Sequence, residues 1–136
     1  MHVTVKQVEG LSMVGKGESN HWVALDSLKQ YQGHEAASQP MELLLISLGG
    51  CLGMDVISLL EKKGIELDSF RIEIDSQQAQ EHPKVFTSID LKCILSAKDL
   101  NQKDTRWAVG KAMEKFCPVG AMLEEAVTIN YSWEIV

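Results

Sequence analysis

PMELLLISLGGCLGMDVISLLEKK, residues 40–63, is the stretch on which the fold turns. Between Leu43 and Met54 it carries no charged side chain. Leucine, isoleucine and methionine fall on every side of a helical projection rather than along one stripe, so the helix is expected to be buried all round. Pro40 suits the first turn, Ser38 is the expected N-cap, and Glu42 favours the positive end of the helix dipole. Lys62, Lys63 and Gly64 read as a C-terminus. The run is expected to be too short for a bilayer span, which takes about 18 apolar residues, and Asp55 with Gly49, Gly50 and Gly53 interrupts it. It therefore reads as the central helix of a soluble protein. A glycine in a helix interior is about 1 kcal/mol worse than alanine, so something is expected to approach closely at these three, around Cys51.

The rest of the chain bounds what that helix can belong to. At 136 residues the expectation is one domain, residues 1–136, with a substantial core. The net charge of −6 and the lack of any Lys/Arg cluster argue against nucleic acid as a partner. No membrane partner is expected either. The opening residues MHVTVKQVEG alternate polar and apolar, without the basic segment and apolar block of a secretory signal, so a cytoplasmic location is expected. The three cysteines, Cys51, Cys93 and Cys117, show no CxxC or Cys/His ligand spacing. No zinc or other cofactor is expected, nor a disulfide framework, which leaves thiol chemistry open.

In chain order, Val3, Val5, Val8, Leu11, Met13, Val14 and Trp22–Leu25 form short β-like runs broken by glycine-containing turns. They predict an N-terminal meander of two or three strands. Asp26 to Gln39 is polar and reads as a loop, long enough to be a working loop or one covered by a partner. After the helix, Leu67–Gln78 and Phe86–Ser96 alternate apolar and polar residues and predict an antiparallel hairpin. Cys93 falls on its apolar face and reads as a small core hydrophobe. Asp99–Phe116 predicts an amphipathic helix, Cys117-Pro118 the cap and first position of a short one, and Val127–Val136 a closing strand. The class is α+β: a strand meander, long buried central helix, β-hairpin, two helices and final strand. A single sheet covers only one side of a helix, and a dimer in which two such helices are enclosed by both chains is the simplest remedy.

The two helix-associated thiols read differently. Cys117, at a helix N-terminus, meets unsatisfied N–H groups and the positive end of the dipole, which lower a thiol pKa. Cys51 lies mid-helix with Asp55 at i+4, a negative charge that opposes a thiolate. The residues by themselves favour a structural role for Cys51, a dipole role for Glu42, solvent-exposed positions for His21 and His34, and core or interface positions for Trp22, Trp107 and Trp133.

Taken together, Pro40-Met41-Glu42-Leu43-Leu44-Leu45, Ser47-Leu48-Gly49-Gly50-Cys51 and Cys117-Pro118-Val119-Gly120-Ala121-Met122-Leu123 resemble the motifs of the OsmC/Ohr family, osmotically inducible and organic hydroperoxide resistance proteins. The Gly-Gly-Cys form is similar to a subgroup of short OsmC-like members. The resemblance implies an OsmC/Ohr-like fold in an intertwined homodimer with two interface sites. It implies a peroxidatic Cys51, a resolving Cys117 and a site carboxylate, for which Glu42 is the candidate. The implied partners are an organic hydroperoxide or other small apolar ligand and a thiol or dithiol reductant. This chain departs from the family's peroxidases at one point. Those use an N-terminal arginine, held by a glutamate directly after the proline, to stabilise the thiolate. Here no arginine precedes Arg71, and Met41 stands in the glutamate position. Lys6, Lys16, Lys29, His21 and His34 are the cations that could substitute, without the arginine fork. The expected function is thiol-dependent reduction of organic hydroperoxides. The rival is a non-catalytic small-molecule-binding dimer of the same fold.

Overall fold

A computed structural model describes residues 1–136, in the element order expected. It holds two three-stranded sheets and three α-helices, and divides into two compact units, Met1–Ile46 and Ser47–Val136.

In the first unit, β1 (Thr4–Glu9), β2 (Ser12–Lys16) and β3 (Trp22–Leu25) form an antiparallel meander in that order. The loop that follows contains one 3-10 turn, Lys29–Tyr31, and is closed on itself by a bridge between Leu25 and Ser38. Its centre is Asp26, 2 % exposed. The Asp26 carboxylate accepts the backbone N–H groups of Ser27 at 2.8 Å, His34 at 3.2 Å and Ala36 at 3.0 Å. Gly33 fits because a Cβ there would lie 1.9 Å from the Ser27 carbonyl oxygen. Helix α1 (Pro40–Glu61) starts at Gln39 rather than at the expected Ser38. The Gln39 carbonyl accepts the Leu43 N–H at 3.0 Å, and its N–H donates to Glu42 Oε2 at 2.8 Å, the return half of a capping box. Ser38 is held instead by β3, its carbonyl accepting the Asp26 N–H at 3.1 Å.

In the second unit, β4 (Ser69–Gln78) and β5 (Phe86–Ser96) form the expected hairpin. β6 (Thr128–Ile135) pairs with β5 in parallel, which requires the crossover supplied by the helices between them. Ile89, Leu91, Cys93 and Leu95 of the central strand are at most 2 % exposed. On α1 the buried residues are Leu48, Leu52, Gly53, Val56, Leu59 and Leu60. Two of the three glycines serve this packing: a Cβ on Gly49 would meet Ile74 Cδ1 at 2.9 Å, and one on Gly53 would meet Phe70 Cε1 at 2.9 Å. Gly50 has nothing within 4 Å, and Ile46 and Met54 are 58 % and 69 % exposed. Within one chain, then, α1 is covered on one flank only, as a single sheet dictates. At 22 residues it is also long and apolar enough to cross a membrane. The expectation that the run is too short for that rested on its uncharged stretch alone; the core helix of a soluble protein has the same length and composition, and the reading as a central helix is unchanged.

Helix α2 (Gln102–Lys111) is capped by Asn101, whose side chain accepts the Asp104 N–H at 3.0 Å. It passes into a π-turn, Ala112–Phe116, closed by the Cys117 N–H on the Ala112 carbonyl at 2.8 Å. Helix α3 (Pro118–Leu123) follows at once.

Candidate functional site

The site is built where the π-turn meets α3. Cys117 leaves helical geometry there, with φ −77° and ψ 97°, and becomes the N-cap of α3 as the sequence predicts. Its Sγ accepts the Gly120 N–H at 3.3 Å, while Pro118 occupies the first helical position, where no N–H is needed. The π-turn places an extra residue in the helix just before the cysteine, a distortion that recurs at functional sites. Nothing in the amphipathic pattern of residues 99–116 announces it.

Cys117 is 1 % exposed, and the half-buried thiol of Cys51, from the middle of α1, lies beside it. Both thiols are free. Burial pushes the Cys117 thiol up to about 11; the neighbouring Cys51 adds to the rise, the Gly120 N–H opposes it, and Asp55 contributes in the upward direction. This corrects the lowered value expected from the helix N-terminus. One N–H to a buried sulfur does not outweigh desolvation, and burial is what position in the sequence could not weigh. A thiol titrating near 11 holds about one thiolate in 10,000 at pH 7. No lysine, arginine or histidine is among the groups acting on it.

Glu42 serves the start of α1. It lies nine residues before Cys51 on α1, which is about 13 Å of rise and about half a turn of rotation, and its carboxylate holds the Gln39 N–H. Cys93 is fully buried on β5, its thiol pushed up to about 12 by burial, as a core residue should be. Several cations have partners of their own. Lys6 and Lys16 stand 5.1 Å and 5.0 Å from the Trp22 ring centre, and Lys29 Nζ lies 3.5 Å from Glu35. Arg71 pairs with Glu73 at 3.1 Å, and Arg106 lies over Trp133 at 5.8 Å. Trp133 is held by its Nε1–H, which donates to Gln102 Oε1 at 2.9 Å.

Sequence reasoning passed over Asp26, which the polar composition of its loop concealed. A signal was present: an aspartate directly after an apolar strand and before a glycine-containing segment is the usual organiser of such a turn.

A long apolar helix laid on a sheet, with its mid-helix thiol against the cysteine that caps a short helix, defines a small α+β dithiol protein. The chain belongs to the OsmC family: the model described as OsmC-like protein matches residues 33–132. It is 36 % identical over 136 residues to Protein YhfA of Escherichia coli K12, covering 100 % of this chain and 98 % of that protein. Among solved structures, a hypothetical protein from Aquifex aeolicus superposes with a TM-score of 0.87 at 28 % identity, covering 99 % of this chain and 95 % of that one. The organic hydroperoxide resistance protein OsmC of Legionella pneumophila superposes with a TM-score of 0.71 at 17 % identity, over 98 % of this chain and 97 % of that one. At that identity the likeness is one of fold, the OsmC/Ohr fold that the sequence led us to expect.

Proposed function

We propose that this chain, a single OsmC/Ohr-like domain of residues 1–136, is a thiol-dependent peroxidase that reduces organic hydroperoxides as a cytoplasmic homodimer in a stress response. The observation that supports the reading is that Cys51 of α1 and Cys117, the N-cap of α3, lie near each other as free thiols. The kinship of the fold with hydroperoxide resistance proteins supports the substrate class. In the first step Cys51 gives up its proton and attacks the O–O bond as the thiolate, taking the terminal OH as sulfenic acid, while the alkoxide leaves with the proton the thiol gave up, as the alcohol. In the second, Cys117 attacks the Cys51 sulfur, the disulfide forms and water departs. A dithiol or other thiol reductant then restores both cysteines by exchange. Glu42 contributes through the first turn of α1, which its bond to Gln39 fixes. Homodimer formation is supported by the apolar side chains each unit leaves open, Val5 and Val23 in one, Met54 and Met122 in the other.

The rival, a dimer that binds a small apolar ligand without chemistry, draws on two observations. Met41 stands in the glutamate position, and no cation acts on Cys117. Mass spectrometry after one equivalent of cumene hydroperoxide separates the two readings. The peroxidase gives a rapid Cys51–Cys117 disulfide in wild type and a trapped sulfenic acid at Cys51 in Cys117→Ser. Slow oxidation shared with Cys93, or none, rejects it in favour of binding.

A further inference from the structure

Helix α3 has little to hold it besides a sulfur. It is six residues long, below the about 12 residues a helix needs to persist by itself. Gly120 is its one buried residue and brings no side chain; Val119 and Leu123 are half-buried, and Pro118, Ala121 and Met122 are exposed. Its side-chain cap is Cys117, whose Sγ accepts the Gly120 N–H at 3.3 Å. The Cys117 carbonyl accepts the Ala121 N–H at 3.0 Å, and the Cys117 N–H is engaged by the π-turn, on the Ala112 carbonyl at 2.8 Å. The same sulfur, 1 % exposed, is the one that has to bond to Cys51. The Cys51 backbone is fixed, because it lies between the fully buried Leu48 and Leu52 in a 22-residue helix packed on β4.

We propose that the Cys117 sulfur is a redox-sensitive cap, so that forming the Cys51–Cys117 disulfide releases α3 and reducing it restores the helix. This rests on the resolving step of the proposed peroxidase and adds its regulation. In that step the Cys117 sulfur displaces the OH of the Cys51 sulfenic acid, and the thiol proton leaves with that OH as water. The two sulfurs, unbonded here, close to about 2.0 Å. A free thiol turns about its Cα–Cβ bond to suit the Gly120 N–H, whereas a disulfide sulfur is placed by its partner and is only a weak acceptor. The cap is lost, and with no buried side chain to replace it the first turn of α3 opens. In the reduced state the Cys117 sulfur is 1 % exposed. Release of α3 opens it to a thiol reductant only while it is in the disulfide.

Amide exchange reads the cap directly, and the usual effect of a cross-link has the opposite sign. A disulfide that merely restrains the chain leaves exchange as slow as before or slower. Diamide makes the disulfide without peroxide, taking one hydrogen from each thiol and becoming its hydrazine. After diamide, the Gly120, Ala121 and Glu124 amides of wild type are expected to exchange about 5-fold faster than in the reduced protein, with Leu91 and Cys93 in β5 unchanged. Reduced Cys117→Ala, uncapped without any disulfide, should match oxidised wild type at these amides. Cys117→Ser keeps an oxygen cap and should stay slow with and without diamide. Equal or slower exchange in oxidised wild type overturns the proposal, as does reduced Cys117→Ala exchanging as slowly as wild type, or loosening of Cys117→Ser by diamide. A diamide-treated wild type without the Cys51–Cys117 disulfide overturns it too. Faster exchange after diamide, in a protein whose thiols cumene hydroperoxide leaves untouched, overturns the peroxidase reading alone.

Discussion

The two sheets each have three strands rich in apolar residues and end in opposite states. In the β4–β5–β6 sheet, Ile89, Cys93 and Leu95 are fully buried, under α1 on one side and with helical crossover on the way to β6. In the β1–β2–β3 sheet, Val5, Val8, Trp22 and Val23 are 46–63 % exposed, because the first unit supplies no layer to put over them. Alternation selects which face can be buried. A covering element decides whether it is, and each apolar face left open is a statement about something outside the chain.

The sharpest way to break this comparison is to truncate one side chain in each half. Leu52→Ala, in the packed flank of α1, is expected to lower stability by about 2–5 kcal/mol, read as a lower urea midpoint. Val23→Ala on the open sheet is expected to fall within about 0.5 kcal/mol if the chain stands alone. A large effect at Val23, with a melting temperature that rises with protein concentration, would show that a second copy covers the N-terminal sheet.

The glycines of α1 sharpen the same contrast within one helix. Gly53→Ala sets a methyl 2.9 Å from the Phe70 ring, a contact the ring edge cannot easily yield, and a loss of about 1–3 kcal/mol is expected. Gly49→Ala meets only the far end of Ile74, which can turn away, so it should be close to neutral. Gly50→Ala has open space and should gain about 1 kcal/mol from helix propensity. Thermal unfolding of the three variants checks the order. A loss at Gly50 would place a partner against the bare side of α1, beside Cys51.

Much of this was legible beforehand, and the failures share a cause. Pro40, the 67–78 and 86–96 alternations and Cys117-Pro118 are local signals, and the elements they mark are there. The order of the motifs was enough to identify the family. Tertiary quantities were not legible. The desolvation that raises the Cys117 thiol, the parallel register of β6 and the π-turn before the cap all depend on what packs where. Ser38 looked the better N-cap than Gln39 by residue type, yet the bridge to Leu25 claims it first. The sequence placed Cys51 and Cys117 sixty-six residues apart, and only the fold brings the two thiols near each other.

The smallest effect expected is local, and it lies in the first unit, where order comes from a carboxylate instead of a core. The N–H bonds from Ala36 and Ser27, then His34 and the Ser12 side chain, hold the Asp26 carboxyl below its ordinary value of 3.8. A carboxyl with a lower pKa folded than unfolded adds stability that is fully present above the unfolded value, near 3.9. That stability is lost as pH falls through the lower folded value. Amide exchange at Ser27, His34 and Ala36 should therefore stay slow from neutrality down to about pH 4, and quicken below it before the β4–β5–β6 core opens. Asp26→Asn keeps the shape and removes the charge, so the same three amides should exchange faster at pH 7 with the global melting temperature little changed. If the variant instead lowers the melting temperature as much as Leu52→Ala does, the loop is no local device, and the N-terminal unit depends on it as the second unit depends on its core.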